Sequence, residues 1–284
     1  MESQTDSVLL AISVIASVGN VVLVILLWVA LLRRPVHVEK VGNVTLKLVV
    51  VAVMPYSVVG LIFIFNLMVT GEEVLRGAVC QVSGVFLMLS LLLSPAAAVI
   101  RYMYFMWFVV LQRRIHPWRW LAGSAVVVSV LLAVAVVPGI LGEYSPRDSV
   151  MQCTIQYHTH EFWPMFFGVI LAVVILAGLL AHILFNGLIL SKLQLVCVPK
   201  FELPQNSRAA LLRKFFPVAL AYLMTHSAPL ILALVELISK APASLRMLHF
   251  YSISYAITTF VYPLATIVAN KSLTHDIKDI FHIN

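Results

Sequence analysis

The chain has 284 residues, 62% of them hydrophobic and 11% charged, with a formal charge of +7 and a mean hydropathy of +1.01. So little polar surface excludes a water-soluble globule of this length. The sequence pI of about 9.5 then reflects basic residues placed about a membrane, since nucleic-acid binding would call for a soluble basic domain.

Seven apolar runs are long enough to cross a bilayer: 8–32, 44–69, 79–107, 118–141, 163–190, 209–238 and 246–269. The predicted fold is therefore an all-α membrane protein, a seven-transmembrane helix bundle over 8–269. Residues 1–7 form a short outer terminus, and 270–284 an inner amphipathic eighth helix and tail. Orientation follows from Lys and Arg, which are retained on the cytoplasmic side. With residues 1–7 outside, 15 of the 19 basic residues fall on inner segments and 8 of the 12 acids on outer ones. Glu2 and Asp6 precede the first run with no basic residue, unlike a cleavable leader, so 8–32 is expected to be an uncleaved signal anchor.

In chain order, the first run carries Gly19-Asn20, an amide among aliphatic neighbours that must find a partner on another helix. It ends at Arg33-Arg34-Pro35. In the second, Lys47 can snorkel to the inner face and Pro55 removes a backbone donor in mid-membrane. The patterns Asn43-Val44-Thr45 and Asn270-Lys271-Ser272 match glycosylation sites but fall on the inner side, where they go unused. The third run separates Cys80 from Arg101 by twenty uncharged residues, about 30 Å of helix, which places the two at opposite membrane faces. Ser94-Pro95 predicts a kink near Arg101.

Trp118 and Trp120 suit the inner headgroup region, and Pro138-Gly139 is expected to close the fourth helix. An outer loop of about twenty residues follows, holding Cys153, His158 and His160. Two histidines two apart are read as solvated loop residues, no third metal ligand being visible. The fifth run opens on Phe162-Trp163 and carries His182 toward its inner half; residues 191–208 form a basic connector. The sixth begins with Arg208, Arg213 and Lys214 and has a kinked, polar centre from Tyr222 through His226 to Pro229. The seventh carries Tyr251, Ser252, Ser254, Tyr255, Thr258 and Thr259 before Tyr262-Pro263. Apolar residues at 273, 277, 280 and 281 fit a helix lying on the inner surface. Of three cysteines, Cys80 and Cys153 share the outer side and Cys197 is inside, which leaves open one disulfide with a free thiol or three unpaired thiols.

The constellation resembles a divergent rhodopsin-like (class A) G-protein-coupled receptor of the chemoreceptor or orphan type. Gly19-Asn20 is similar to the family's helix-one pair, Arg101-Tyr102 to its Asp-Arg-Tyr motif, and Trp118 or Trp120 to its helix-four tryptophan. Pro229 and Pro263 stand for the prolines of Cys-Trp-x-Pro and Asn-Pro-x-x-Tyr. The resemblance implies a Cys80–Cys153 disulfide, a switch at Pro229, Tyr262 and Pro263, and G-protein coupling through Arg101, Tyr102, Arg213 and Lys214. Ile100 departs from the family in replacing the acid before the arginine, and Val53 in replacing the sodium-binding aspartate; His226, Ser227, Tyr262 and Thr266 replace Cys, Trp, Asn and Tyr.

No lysine in the seventh run means no retinal Schiff base, and no aspartate in the third means no counter-charge for an amine. A pocket of Phe86, Ser90, Tyr222, His226, Tyr251 and Tyr255 would suit a small, weakly polar or apolar ligand, although the same hydroxyls can equally glue helices together. The expected partners are that ligand, a heterotrimeric G protein and the lipid bilayer, with no nucleic acid, cofactor or metal. Nothing in the spans resembles a catalytic constellation, so the chain is not expected to be an enzyme. The competing reading is a seven-helix transporter or channel for a neutral solute or lipid, or a receptor-like protein that no longer signals. Transport would favour internal repeats, and the prolines in five spans form none.

Overall fold

The computed structural model describes residues 2–32, 41–71, 75–105, 117–147, 150–190 and 205–269. Among these residues the chain is almost entirely helical. The helices are α1 (Glu2–Leu32), α2 (Val41–Thr70), α3 (Gly77–Phe105), α4 (Pro117–Leu141), α5 (Phe162–Leu190), α6 (Gln205–Ser239) and α7 (Leu245–Ala269). Each apolar run of the sequence lies on one of them, the third as far as Phe105, where the described part of α3 ends. Among the described residues, four stretches are long and apolar enough to cross a membrane: Gly77–Tyr104, Trp118–Leu141, Phe162–Gly187 and Phe216–Ser239. Val14–Ala30 and Met54–Thr70 are shorter apolar helices.

The helix exteriors are aliphatic. Ile15 and Val22 of α1, Phe65 and Met68 of α2, Val126 and Val130 of α4, and Ile183 and Leu184 of α5 all face outward, the reverse of a surface made for water. Long apolar helices with so apolar an exterior are the mark of a membrane protein.

Packing follows a ring. The contacts run α1 on α2, α2 on α3, α3 on α5, α5 on α6, α6 on α7 and α7 back on α1, while α4 lies outside against α3. Within the apolar stretches, 67% of α3 is buried but only 17% of α4, so α3 is the axis and α4 a flank. Asn20, the isolated amide of α1, is fully buried, and Gly19 beside it lets the Phe260 ring of α7 approach.

Three details differ from expectation. The helix α1 begins at Glu2, so residues 2–7 extend it rather than precede it. The fourth helix passes through Pro138 to Leu141 and is ended by Gly142, whose φ of 78° only glycine adopts without strain. Finally, the loop after α4 is ordered as an antiparallel hairpin of β1 (Tyr144–Arg147) and β2 (Val150–Ile155), with Tyr144 opposite Ile155 and a register shift between Pro146 and Arg147. The expected surface helix of 270–284 and the basic connectors 33–40, 106–116 and 191–204 lie outside the described residues.

Candidate functional site

The hairpin positions the site. Cys153 of β2 forms a disulfide with Cys80, in the first turn of α3, the two Cα atoms being 5.4 Å apart, so the pairing implied by the resemblance is present. Next to Cys80, Gln81 reaches both backbone groups of Tyr144: its side-chain amide donates to the Tyr144 carbonyl at 2.6 Å, and its oxygen accepts from the Tyr144 N–H at 3.2 Å. The Tyr144 ring enters α3 at Gly84, where any Cβ would collide with it, and its hydroxyl donates to the Ala135 carbonyl of α4 at 2.8 Å. Here the glycine is required by close approach.

On the other side the hairpin is held by charge. Arg147 meets Glu236 of α6 through both ends of its guanidinium, Nη1 on Oε1 and Nη2 on Oε2, the latter at 2.8 Å, and Nη2 also donates to the Ile155 carbonyl at 2.8 Å. The Glu236 carboxylate accepts two more bonds, from the Tyr157 N–H at 3.1 Å and the Ala243 N–H at 3.3 Å. Glu236 is 0% exposed and Arg147 8%. A carboxylate can be buried at such depth only when paired and hydrogen-bonded to this extent. His158 Nδ1 lies 4.0 Å from the same carboxylate, while His160 is exposed.

Beneath the hairpin is an apolar pocket. Leu87, Met88 and Leu91 of α3, Leu171 of α5, Pro229 and Leu232 of α6 and Tyr251 of α7 line it. Tyr144, Cys153, Thr154, Ile155 and Tyr157 close it. The cavity that remains is about 20 Å³, room for one water molecule. Burial holds the hydroxyls of Tyr144 and Tyr157 above the usual tyrosine range, so both stay neutral.

Of the six ligand-binding candidates, Tyr251 lines this pocket. Phe86 is half-buried, and Ser90 is fully buried with its hydroxyl turned back on the Leu87 carbonyl at 2.6 Å. Tyr222 and His226 stack on each other deeper in the bundle, with centroids 4.0 Å apart. Tyr255 lies on α7, its side chain outside the described ones. Of the coupling and switch candidates, Arg101 and Tyr102 are 8% and 5% exposed, Pro229 is in the pocket wall, and Pro263 is buried. Arg213 and Lys214 lie on α6 and Tyr262 on α7, with side chains outside the described ones.

Sequence reasoning passed over Glu236, Arg147 and Gln81. A signal was present: Glu236 is the one Asp, Glu, Lys or Arg between Lys214 and Lys240, and Arg147 is one of four basic residues in segments that the charge count assigns to the acidic side. An ionisable residue within a span is a functional candidate by default, and the missing step was to look for its counter-charge in the loop.

No protein-family model matches the chain, and no curated protein matches it.

Proposed function

We propose that the chain is a seven-transmembrane receptor of the rhodopsin-like kind, oriented in the plasma membrane with its amino terminus outside and its carboxyl terminus in the cytoplasm. In this reading it binds a small, weakly polar ligand from outside and activates a heterotrimeric G protein. The observation that carries the reading is the apolar pocket at one end of the helix ring, closed by a disulfide-tethered hairpin, with the proline of α6 in its wall. A pocket roofed by a tethered loop and walled by a proline-containing helix is a place where binding energy can convert into helix movement. The positive-inside count supports an arrangement with that end outside and the Arg101 end in the cytoplasm.

The mechanism is a population shift. With room for one water, the pocket admits a ligand only as the hairpin and tyrosines give way, so ligand binding selects a rearranged state. Contacts at Tyr251, Leu232 and Pro229 bias α6 to swing outward about Pro229, which opens a basic cleft around Arg101, Arg213 and Lys214 for the G protein. Nucleotide exchange on purified G protein, with the receptor in lipid nanodiscs and a panel of small apolar compounds, tests it. The expected result is exchange that a subset of compounds stimulates and that Leu232→Trp, which fills the pocket, no longer allows them to stimulate. Exchange equal to that of empty nanodiscs under every condition overturns the reading.

A further inference from the structure

Between the pocket and Arg101 the structure holds a continuous column of four buried rings, and one of them, His182, has no role in the receptor reading. The Tyr102 hydroxyl of α3 is hydrogen-bonded to Nδ1 of His182 on α5 at 2.5 Å, and the two rings meet edge-on with centroids 4.9 Å apart. His182 packs on Tyr222 of α6 at 4.5 Å, and Tyr222 stacks on His226 at 4.0 Å with planes 11° apart. None of the four is more than 5% exposed. The column ends less than one helical turn before Pro229, in the pocket wall, and begins beside Arg101.

Its members are held for position. The Tyr222 hydroxyl donates to the Ile175 carbonyl of α5 at 3.2 Å, across a surface left bare by Gly178, where a Cβ would collide with that hydroxyl. His226 Nδ1 sits 2.7 Å from Thr225 Oγ1 and 3.2 Å from the Tyr222 carbonyl oxygen, which fixes its ring against the helix. At the other end Tyr102 also stacks on Phe185 at 4.3 Å. The bond between Tyr102 and His182 is thus the polar link of the column that joins α3 to α5, and α5 to α6 follows through ring contact.

We propose that His182 is a positioning residue, a latch on α5 that ties Tyr102 to the Tyr222–His226 pair and so holds α6 to α3 through α5 in the closed arrangement. Any change at Pro229 that turns the His226 ring is then felt at Arg101 through loss of the Tyr102 bond. This rests on the receptor reading for its use, though not for its existence.

Nitroxides introduced by Met103→Cys and Phe216→Cys, both outward-facing, in a Cys197→Ser background report the α3–α6 separation with no G protein present. His182→Phe keeps the ring and removes the bond; Tyr102→Phe removes the same bond from the other side. Each is expected to raise the long-distance population about fivefold, the factor one net hydrogen bond carries, and the double variant to raise it no further. His182→Asn, which retains a polar group at the Nδ1 position, is expected to stay near the parent. Unmoved distances in Tyr102→Phe, a double variant equal to the product of the singles, or an Asn variant as open as the Phe variant each overturns the latch. Should His182→Phe fail to melt cooperatively, Tyr102→Phe against His182→Asn decides. Nucleotide exchange on the same proteins separates the two claims: distances that shift without exchange sink the receptor reading alone, and exchange with unmoved distances sinks the latch alone.

Discussion

Glu236 and Arg147 show what a residue pair contributes when both partners are buried. Each alone would cost several kcal/mol to bury, and the fork of two parallel bonds, with the Tyr157 and Ala243 N–H groups added, offsets that cost. The asymmetry of buried pairs gives a prediction. Glu236→Ala or Arg147→Ala strands a charge and should destabilise by about 3–5 kcal/mol, read as a fall in the melting temperature of detergent-purified protein. The matched double substitution Glu236→Leu, Arg147→Met strands no charge and should recover part of the loss. Recovery stays partial because two N–H groups still lose their acceptor. Melting of the single variants at the parent temperature would mean the pair does not hold the hairpin. The pair was illegible in sequence for a physical reason: its members are 89 residues apart, and periodicity reports which face a residue takes, not which distant charge it meets. Tyr222 and His226 were legible as polar residues beside a kink, but that they stack together instead of facing the pocket depends on Gly178, on another helix.

At the scale of elements, apolar runs are the most readable feature of this chain, because twenty apolar residues admit few arrangements other than a helix. The hairpin is the least readable. Its first strand is four residues long and contains Pro146, both of which argue against a strand, and its pairing is completed by Gln81, a side chain of α3 that supplies Tyr144 with both hydrogen bonds. Tertiary contact, not propensity, makes these strands. It follows that the tether matters more than the turn. Cys80 and Cys153 close a loop of 73 residues, and in the chain-entropy model such a cross-link stabilises by about 4 kcal/mol. Cys153→Ser should lower the melting temperature and make the remaining transition insensitive to reductant, whereas Cys197→Ser should leave reductant sensitivity as in the parent. A parent protein whose melting does not respond to reductant at concentrations that free both thiols would show that Arg147, Glu236 and Gln81 hold the hairpin unaided.

The whole molecule is arranged about α3, the most deeply buried of the four long apolar stretches, with the hairpin at its Cys80 end and Arg101 at the other. Arg101 is a guanidinium that cannot lose its proton, so at 8% exposure it must be satisfied by polar groups, and those groups belong to whichever state is populated. The residue before it decides how strongly the closed state is favoured. Ile100 supplies no carboxylate and is itself 9% exposed, so the aspartate of Ile100→Asp enters an apolar site where the adjacent guanidinium is the cheapest way to satisfy it. A pair worth about 1 kcal/mol in the closed state lowers a small active fraction roughly fivefold. The native chain should therefore exchange nucleotide without ligand, Ile100→Asp should exchange about fivefold less, and Arg101→Ala should not exchange at equal surface expression. Placed in that order, the three proteins test whether Arg101 couples or only marks the cytoplasmic face. A residue present for topology alone can be replaced by alanine without effect on exchange, because 14 of the 15 basic residues that the charge count assigns to inner segments would remain. Exchange by Arg101→Ala at the parent rate would leave Arg101 as a topology signal and remove it from coupling.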